Sequence, residues 1–418
     1  MSAAKKIKKF IDKVRVRYLL CMQPLRYESI AARLRKKEKI NVGFYAIYPS
    51  IWKYDELYRL MEKSDRFNPF IVICPAVHMG EEHMMTNLRA SYEQFSSKGY
   101  KVVSSYDEKT KTFLDVKKML SLDVVFYTNP YNGLIHDKYY ITNTTDALTC
   151  YVPYNFGNSC DYKMFSNQPL HNLVWKLYLE TDEHKEYAVD HARNHGANVV
   201  VSGYPGIDPL IRKNVSSYPW KLSDTSLKRI IWAPHHTVNP AGTVHYSCFM
   251  MYADLMLELA EKYKDSIQIA FKPHPLLRVK LNDIWGKERT DEYFRKWEEL
   301  PNGIYTEGEY IDLFLTSDAM IHDSGSFLIE YLYTCRPVMR TSNGEDLTRM
   351  LNPFALDCLK MYRQAESSED IENFIIDVIN GKDDLAQERQ AFLEERLLPP
   401  NGRTASQNIF DDLLKSLS

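Results

Sequence analysis

Apolar and polar positions follow two rhythms along this chain. From about residue 40, short apolar runs (Ile40–Ile47, Phe70–Cys74, Lys101–Ser105, Asp123–Thr128) alternate with longer segments of helical period at 54–63 and 80–98. Apolar runs of strand length separated by helix-length segments predict parallel strands covered on both faces, a doubly wound sheet. Two more strands are predicted at Thr149–Pro153 and Ala197–Ser202, flanking a helical stretch that includes His171–His191. Gly203, Pro205 and Gly206 then break the pattern and Ser216–Ser226 is polar, which places a linker at 206–226.

The alternation restarts beyond the linker. Strands are predicted at Arg229–Ala233, Ile267–Phe271, Gly303–Tyr305, Ala319–His322 and Pro337–Arg340, and helices at 247–263, Ser326–Tyr333, 368–380 and 384–396. The predicted fold class is therefore α/β: two Rossmann-like, doubly wound parallel-sheet domains, 40–205 and 227–385, facing a cleft. A basic helical segment at 1–39 precedes them, and C-terminal helices at 386–418 are expected to pack back across the cleft. At 418 residues, 44% hydrophobic and 26% charged, the chain can bury two cores, and its composition excludes collagen, low-complexity and disulfide-miniprotein classes.

Charge is unevenly spread. Residues 1–39 hold thirteen Lys and Arg against Asp12, Glu28 and Glu38, a net of +10, which leaves −12 for the remainder of a chain that sums to −2. The acidic body makes nucleic acid an unsuitable partner. At the N-terminus, Ile7, Phe10, Ile11, Val14 and Tyr18 form one helical stripe among basic residues. Two readings stand side by side, a helix lying on an anionic membrane surface through residues 5–20 or a helix docked on its own domain with a solvated basic face, and a tail that pairs with nucleic acid is a weaker third. Seven scattered cysteines without a CxxC pair point to a reducing compartment and away from a Cys zinc site. No apolar run reaches the length of a membrane span and no cleavable leader pattern is present, so a cytoplasmic protein, peripheral to the inner membrane face at most, is expected.

In open parallel sheets ligands bind beyond the carboxyl ends of strands, so strand-end motifs carry the most weight. Three stand out in the second half: Pro234-His235-His236-Thr237, Lys272-Pro273-His274-Pro275, and His322-Asp323-Ser324-Gly325-Ser326 with Glu330 one turn further on. Asp323, Ser324, Gly325 and Ser326, running from a strand into a helix, offer hydroxyls and free backbone N–H groups to an anion such as a nucleotide phosphate; a simple helix cap is the alternative. Glu330, one turn into the helix, could reach a ribose hydroxyl; an ordinary surface Glu is the alternative. Two prolines hold His274 rigidly beside Lys272, which suits an imidazole working on a phosphate oxygen or an acceptor hydroxyl. Adjacent side chains in an extended loop point opposite ways, so at most one of His235 and His236 is expected in the pocket. No HExxH motif and no carboxylate pair accompanies these histidines, and a metal is not expected. A GxSxG elbow, a Walker loop and a GxGxxG fingerprint are also missing, which disfavours hydrolase, P-loop NTPase and dehydrogenase. In the first domain Tyr154 and Asn155 are candidates for binding a polyol or sugar acceptor; packing beneath their loop is the alternative.

These residues, with Gly203-Tyr204-Pro205, Asp208, Ser317-Asp318 and Arg336-Pro337, resemble the CDP-glycerol glycerophosphotransferases, the TagB and TagF type enzymes of teichoic acid and capsule synthesis. The likeness is good over roughly 200–345 and loose in the first domain. It implies a GT-B fold, a CDP-alditol donor without any further cofactor, a polysaccharide or lipid-linked acceptor, and release of CMP. The family's His-Pro motif falls on His274 and Pro275 and its phosphate loop on Asp323 to Ser326. Its Trp-His-Gly segment has no counterpart, Tyr151 to Gly157 standing there without a His, and its Pro-Thr-x-Arg is replaced by Pro234-His235-His236-Thr237. The Asp-Ser-Gly element also resembles UDP-GlcNAc 2-epimerases, and Lys-Pro-His-Pro some capsule sugar transferases, so a nucleotide-sugar enzyme of the same fold is the alternative.

Overall fold

The computed structural model describes the backbone of residues 3–239 and 246–418, with side chains described from Lys13 onward. The chain divides into two compact units: Met1–Gly157, Asp161–Asp208 and Pro399–Ser418 form the first, Asn158–Cys160 and Pro209–Leu398 the second.

The first unit is built on a seven-stranded sheet: β1 (Ile40–Ala46), β2 (Phe67–Ile73), β3 (Val102–Ser104), β4 (Val124–Tyr127), β5 (Leu148–Tyr151), β6 (Lys176–Leu179) and β7 (Val199–Val201). Its spatial order is β3-β2-β1-β4-β5-β6-β7 and every pairing is parallel. That order reverses direction at β1, the arrangement of nucleotide-binding sheets. The central strands are apolar at nearly every position because helices cover both faces; Ile40, Val42, Phe44, Val124 and Phe126 are fully buried.

β6 departs from the predicted pattern. The stretch expected to be helical around His171–His191 contains a turn of helix at Pro169–Leu173, then β6, then a helix at Asp182–His191. Leu177, Tyr178 and Leu179 are buried in β6, and its neighbours β5 and β7 supply its hydrogen bonds. Four residues between two helical segments are too few to register a period of two in the sequence, so strand pairing decided the outcome.

The N-terminal helix α1 (Ala3–Arg35) docks on this unit through Val16, Leu19, Gln23, Tyr27, Ile30, Ala31 and Leu34, all buried. The Tyr27 hydroxyl donates to the Leu173 carbonyl at 2.8 Å, and the Arg15 guanidinium to the Thr142 carbonyl at 2.9 Å. This docked face is not the stripe singled out from the sequence. Val14 and Tyr18 of that stripe are 49% and 53% exposed, and Leu25, on the same line, is 62% exposed. The side chains of Ile7, Phe10 and Ile11 lie outside the described residues.

The second unit carries six parallel strands: β8 (Lys228–Ala233), β9 (Ile267–Phe271), β10 (Gly303–Tyr305), β11 (Ala319–His322), β12 (Val338–Thr341) and β13 (Arg363–Ala365), in the order β10-β9-β8-β11-β12-β13. Helix α2 (Phe249–Lys262) buries Phe249, Tyr252, Ala253, Met256, Leu259 and Ala260, the i, i+3, i+4 stripe that faces a sheet. Trp232 and Phe271 stack at 5.0 Å and Phe271 and Trp297 at 5.3 Å, an aromatic layer behind the strands that carry the motifs. The helix predicted over Ser326–Tyr333 is a single α turn, α3 (Phe327–Glu330), continued as 3-10 turns over Tyr331–Thr334.

The last segment is divided: residues up to Leu398 stay with the second unit, and helix α4 (Ala405–Ser416) belongs to the first. Asp208 holds its start, its carboxylate accepting the N–H groups of Ala405 at 2.8 Å and Ser406 at 2.9 Å. Gly203 has φ +87°, and a Cβ there would lie 2.6 Å from the Cβ of Pro399, so the crossing of the two segments requires glycine. All seven cysteines are free thiols. Among the described residues no helix is long and apolar enough to cross a membrane.

Candidate active site

Because β9, β8, β11 and β12 are adjacent and parallel, their carboxyl ends share one edge of the second sheet. The motifs at 234–237, 272–275 and 322–326 therefore meet, though nearly 90 residues of chain separate the first from the last. The backbone ties them together directly: the His274 N–H donates to the Pro234 carbonyl at 3.0 Å and the Lys272 N–H to that of Trp232 at 2.8 Å.

His235, His236 and His274 converge. Their ring centroids are 4.2 Å (His235–His236), 4.3 Å (His236–His274) and 4.9 Å (His235–His274) apart. The expectation that only one of the adjacent pair would face the pocket is thus corrected. The chain is not extended there: it bends at His236, whose carbonyl accepts the Val238 N–H at 2.9 Å, and the bend brings both rings to the same side. Burial lowers all three pKa values, helped at His235 by the other two rings, at His274 by His236 and Lys272 and at His236 by Lys280; His235 falls to about 2 and His274 to about 4, so the rings are neutral at pH 7.

Hydrogen bonds assign roles to these rings. His274 Nδ1 accepts the Leu276 N–H at 3.1 Å, which puts the ring hydrogen of the neutral form on Nε2. His274 thus faces the site as a donor. The nitrogens of His235 are held by the Thr237 hydroxyl and the Tyr246 hydroxyl, each at 3.2 Å, with the Tyr246 ring stacked on His235 at 4.7 Å. One nitrogen from each of the three histidines lies within 4.8 Å of the others, a spacing from which a divalent cation could be held. The Leu276 bond opposes that use, since metal at His274 Nε2 would move the hydrogen to Nδ1 and break it.

Asp323 organises the edge from within. Its carboxylate accepts the N–H of His235 at 2.5 Å, the N–H of Cys248 at 2.6 Å and the Ser247 hydroxyl at 3.2 Å, tying β11 to the loop after β8 and the start of α2. Burial raises its pKa to about 6 against the pull of those donors. Its charge is therefore engaged inward, and what the 323–326 turn offers a ligand is backbone and hydroxyl. Ser324 is buried and donates its N–H to His322 Nδ1 at 3.1 Å; Ser326 is exposed and its side chain caps no helical N–H. With α3 only one turn long, the helix-dipole contribution expected from the sequence is small. The Gly325 carbonyl accepts from the Asn158 amide at 2.7 Å, and a Cβ on Gly325 would lie 3.6 Å from the Tyr246 hydroxyl.

Lys272 is buried, and desolvation lowers its pKa to about 8. Its ammonium donates to the Gly308 carbonyl at 3.0 Å, which leaves hydrogens for an anion. Glu330 is buried and accepts from the Tyr310 hydroxyl at 2.5 Å. Arg336 acts on the fold: its guanidinium donates to the Phe314 and Leu315 carbonyls, both at 2.7 Å, at the end of a helix. Tyr154 and Asn155 follow β5 in the first unit, half-buried; the Tyr154 hydroxyl bonds that of Tyr131 at 3.1 Å and the Asn155 amide donates to the Phe156 carbonyl at 3.2 Å. Sequence reasoning missed Tyr246, Asn158 and Arg340, the last of which left one trace: a cation within an otherwise buried strand.

Residues 157–415 match the family CDP-Glycerol:Poly(glycerophosphate) glycerophosphotransferase. The chain belongs to that family. A relative is the teichoic acid ribitol-phosphate polymerase TarK of Staphylococcus aureus (strain NCTC 8325 / PS 47), 22% identical over 253 residues, which are 59% of this chain and 46% of TarK. The chain thus spans about half the length of that relative. Among solved structures, the wall teichoic acid polymerase TagF soaked with CDPG superposes with a TM-score of 0.56 at 12% identity, covering 100% of this chain and 98% of that one. UDP-GlcNAc 2-epimerase from Neisseria meningitidis, bound to UDP-GlcNAc, gives a TM-score of 0.52 at 15% identity, covering 90% of this chain and 100% of the epimerase. The chain thus shares the two-sheet GT-B fold with both.

Proposed function

We propose that the protein transfers an alditol phosphate, glycerol phosphate first among them, from a CDP-alditol to a hydroxyl of a cell-surface polymer or lipid-linked acceptor. The acceptor oxygen bonds to the phosphorus that carries the alditol, the bond from that phosphorus to the CMP oxygen breaks, and CMP leaves with the electron pair. The observation that carries this reading is the meeting of Lys272, His274 and the Ser324–Ser326 turn at one sheet edge, in a chain of this family. Lys272 and the His274 Nε2–H, together with the backbone of the turn, stabilise the charge that builds on the departing phosphate, the main source of rate in phosphoryl transfer. With His274 a donor and both nitrogens of His235 engaged, His236 is the imidazole assigned to take the acceptor proton. The donor and the acceptor serve without a further cofactor, and no metal is assigned to the histidines.

Helix α1 supports placement at an anionic membrane surface. At about 100° per residue, Val14, Tyr18, Cys21 and Leu25 fall within roughly 60° of one another, opposite the docked face. All four are exposed, and the exposed Lys13, Arg15 and Arg17 flank them. An apolar line bordered by cations, on a helix already anchored by its other side, fits the headgroup region of anionic lipid.

Calorimetry with CDP-glycerol, CDP-ribitol, UDP-GlcNAc and CMP-Kdo tests the donor, with CMP and UDP as controls. Selective binding of a CDP-alditol, lost on Ser324→Ala with Ser326→Ala, is the expected result. Preference for UDP-GlcNAc or CMP-Kdo would replace this reading with a nucleotide-sugar enzyme of the same fold.

A further inference from the structure

Arg340 is the penultimate residue of β12, in register with His322 at the end of β11. It is 95% buried by its residual exposure of 5%, and its Nη2 has no hydrogen-bond partner among the described residues. The charged and polar groups that feel its guanidinium are Cys248, Asp323, Glu345 and Tyr246, together with the rings of His322 and Tyr362. Of these, Asp323 is already engaged by three donors, and one carboxylate oxygen of Glu345 is itself buried without a partner. No carboxylate among the described residues forms an ion pair with Arg340.

A buried guanidinium with no ion-pair partner is costly to the free protein. The cost has a direction here, because Arg340 stands among the groups that border the phosphate turn. Asp323 begins that turn and Tyr246 lies against Gly325 within it. Asp323 and Glu345 act on the guanidinium without pairing with it, and its Nη2 hydrogens are left for an anion brought to the same edge as Lys272.

We propose that Arg340 is the cation that receives the diphosphate of the donor, so that a guanidinium nitrogen without a hydrogen-bond partner in the free protein gains one from substrate. The inference rests on the donor reading above and assigns it a second cation, at the end of the strand beyond the phosphate turn, to work opposite Lys272. A planar guanidinium can take two phosphate oxygens at once, as an ammonium cannot. Arg340 is thus a determinant of diphosphate binding, distinct in role from the histidines that move the proton.

The test uses the full chain, with inorganic pyrophosphate, CDP-glycerol and CMP as probes and Arg340→Met and Arg340→Lys as variants. Thermal melting and calorimetry are read on each. Arg340→Met is expected to fold, because it nearly keeps the buried volume of the side chain. Its affinity for pyrophosphate and for CDP-glycerol should fall on the order of 10- to 100-fold, the loss of a hydrogen bond to a charged group, with a smaller loss for CMP. Arg340→Lys should recover part of the pyrophosphate affinity. Unchanged pyrophosphate binding by Arg340→Met overturns the proposal. So does an Arg340→Met protein that is unfolded while Arg340→Lys folds, since the cation would then serve the fold. Arg340-dependent binding of pyrophosphate without binding of CDP-glycerol keeps Arg340 as an anion ligand and removes the donor reading; binding of neither removes both.

Discussion

The pH dependence of donor binding offers a quantitative check on Lys272. Its ammonium sits at the end of β9 with the Gly308 carbonyl as acceptor, and burial lowers its pKa from 10.5 to about 8. The charged form is the one lost as pH rises, so about nine-tenths of the free protein holds the ammonium at pH 7 and about one-tenth at pH 9. If only that form binds the diphosphate, the Kd for CDP-glycerol should rise about tenfold over those two pH units, or about 1.4 kcal/mol. The diphosphate diester itself has no group titrating in this window. Stability should move the other way. The unfolded chain keeps its lysine protonated up to about pH 10.4 and so binds more protons between pH 8 and 10.4, which makes unfolding less favourable as pH rises. Calorimetric titration at pH 7, 8 and 9 measures the first effect, with Lys272→Arg as a variant whose charge does not titrate in this range. A Kd that stays flat to pH 9, or an equal slope in Lys272→Met, would refute the assignment of Lys272 to the phosphate.

Three further outcomes are expected. His274→Ala should lower turnover by on the order of 10²-fold with the fold intact, as read by single-turnover release of CMP, because it removes a donor to the reacting phosphate. Gly203→Ala should lower stability by about 1–3 kcal/mol in denaturant melts, since alanine is strained at positive φ and would also press on Pro399. Tyr18→Glu combined with Leu25→Glu should weaken sedimentation with anionic liposomes without altering the melting temperature, because both side chains point away from the docked face; parent-level sedimentation by this double variant would exclude α1 as the lipid contact.

Much of the architecture was legible in local pattern, for a physical reason. Strands buried on both faces must be apolar throughout, and the runs at Ile40–Ala46, Ile267–Phe271 and Ala319–His322 announced themselves that way. The strand-end motifs were legible too, because a parallel sheet sends all its carboxyl ends to one edge. β6 was not legible: four residues carry no period, and only its neighbours' unfilled hydrogen bonds make Lys176–Leu179 a strand.

The site divided along the same line. The sequence alone determined which residue types gather at the edge: Lys272 and His274 between prolines, paired histidines at 235 and 236, serines around Gly325. Tertiary structure decided their offices. A bend at His236 turned both rings inward, the Leu276 N–H made His274 a donor, and the Asp323 carboxylate went to backbone N–H groups. It also chose which face of α1 to bury, leaving the stripe of Val14 and Tyr18 outside, and it buried Arg340 in register with His322 with its Nη2 unpartnered among the described residues. Periodicity follows from the covalent spacing of neighbours along one chain. Protonation, burial and the pairing of charges depend on groups that only folding brings within a few ångströms, and for those no local pattern can stand in.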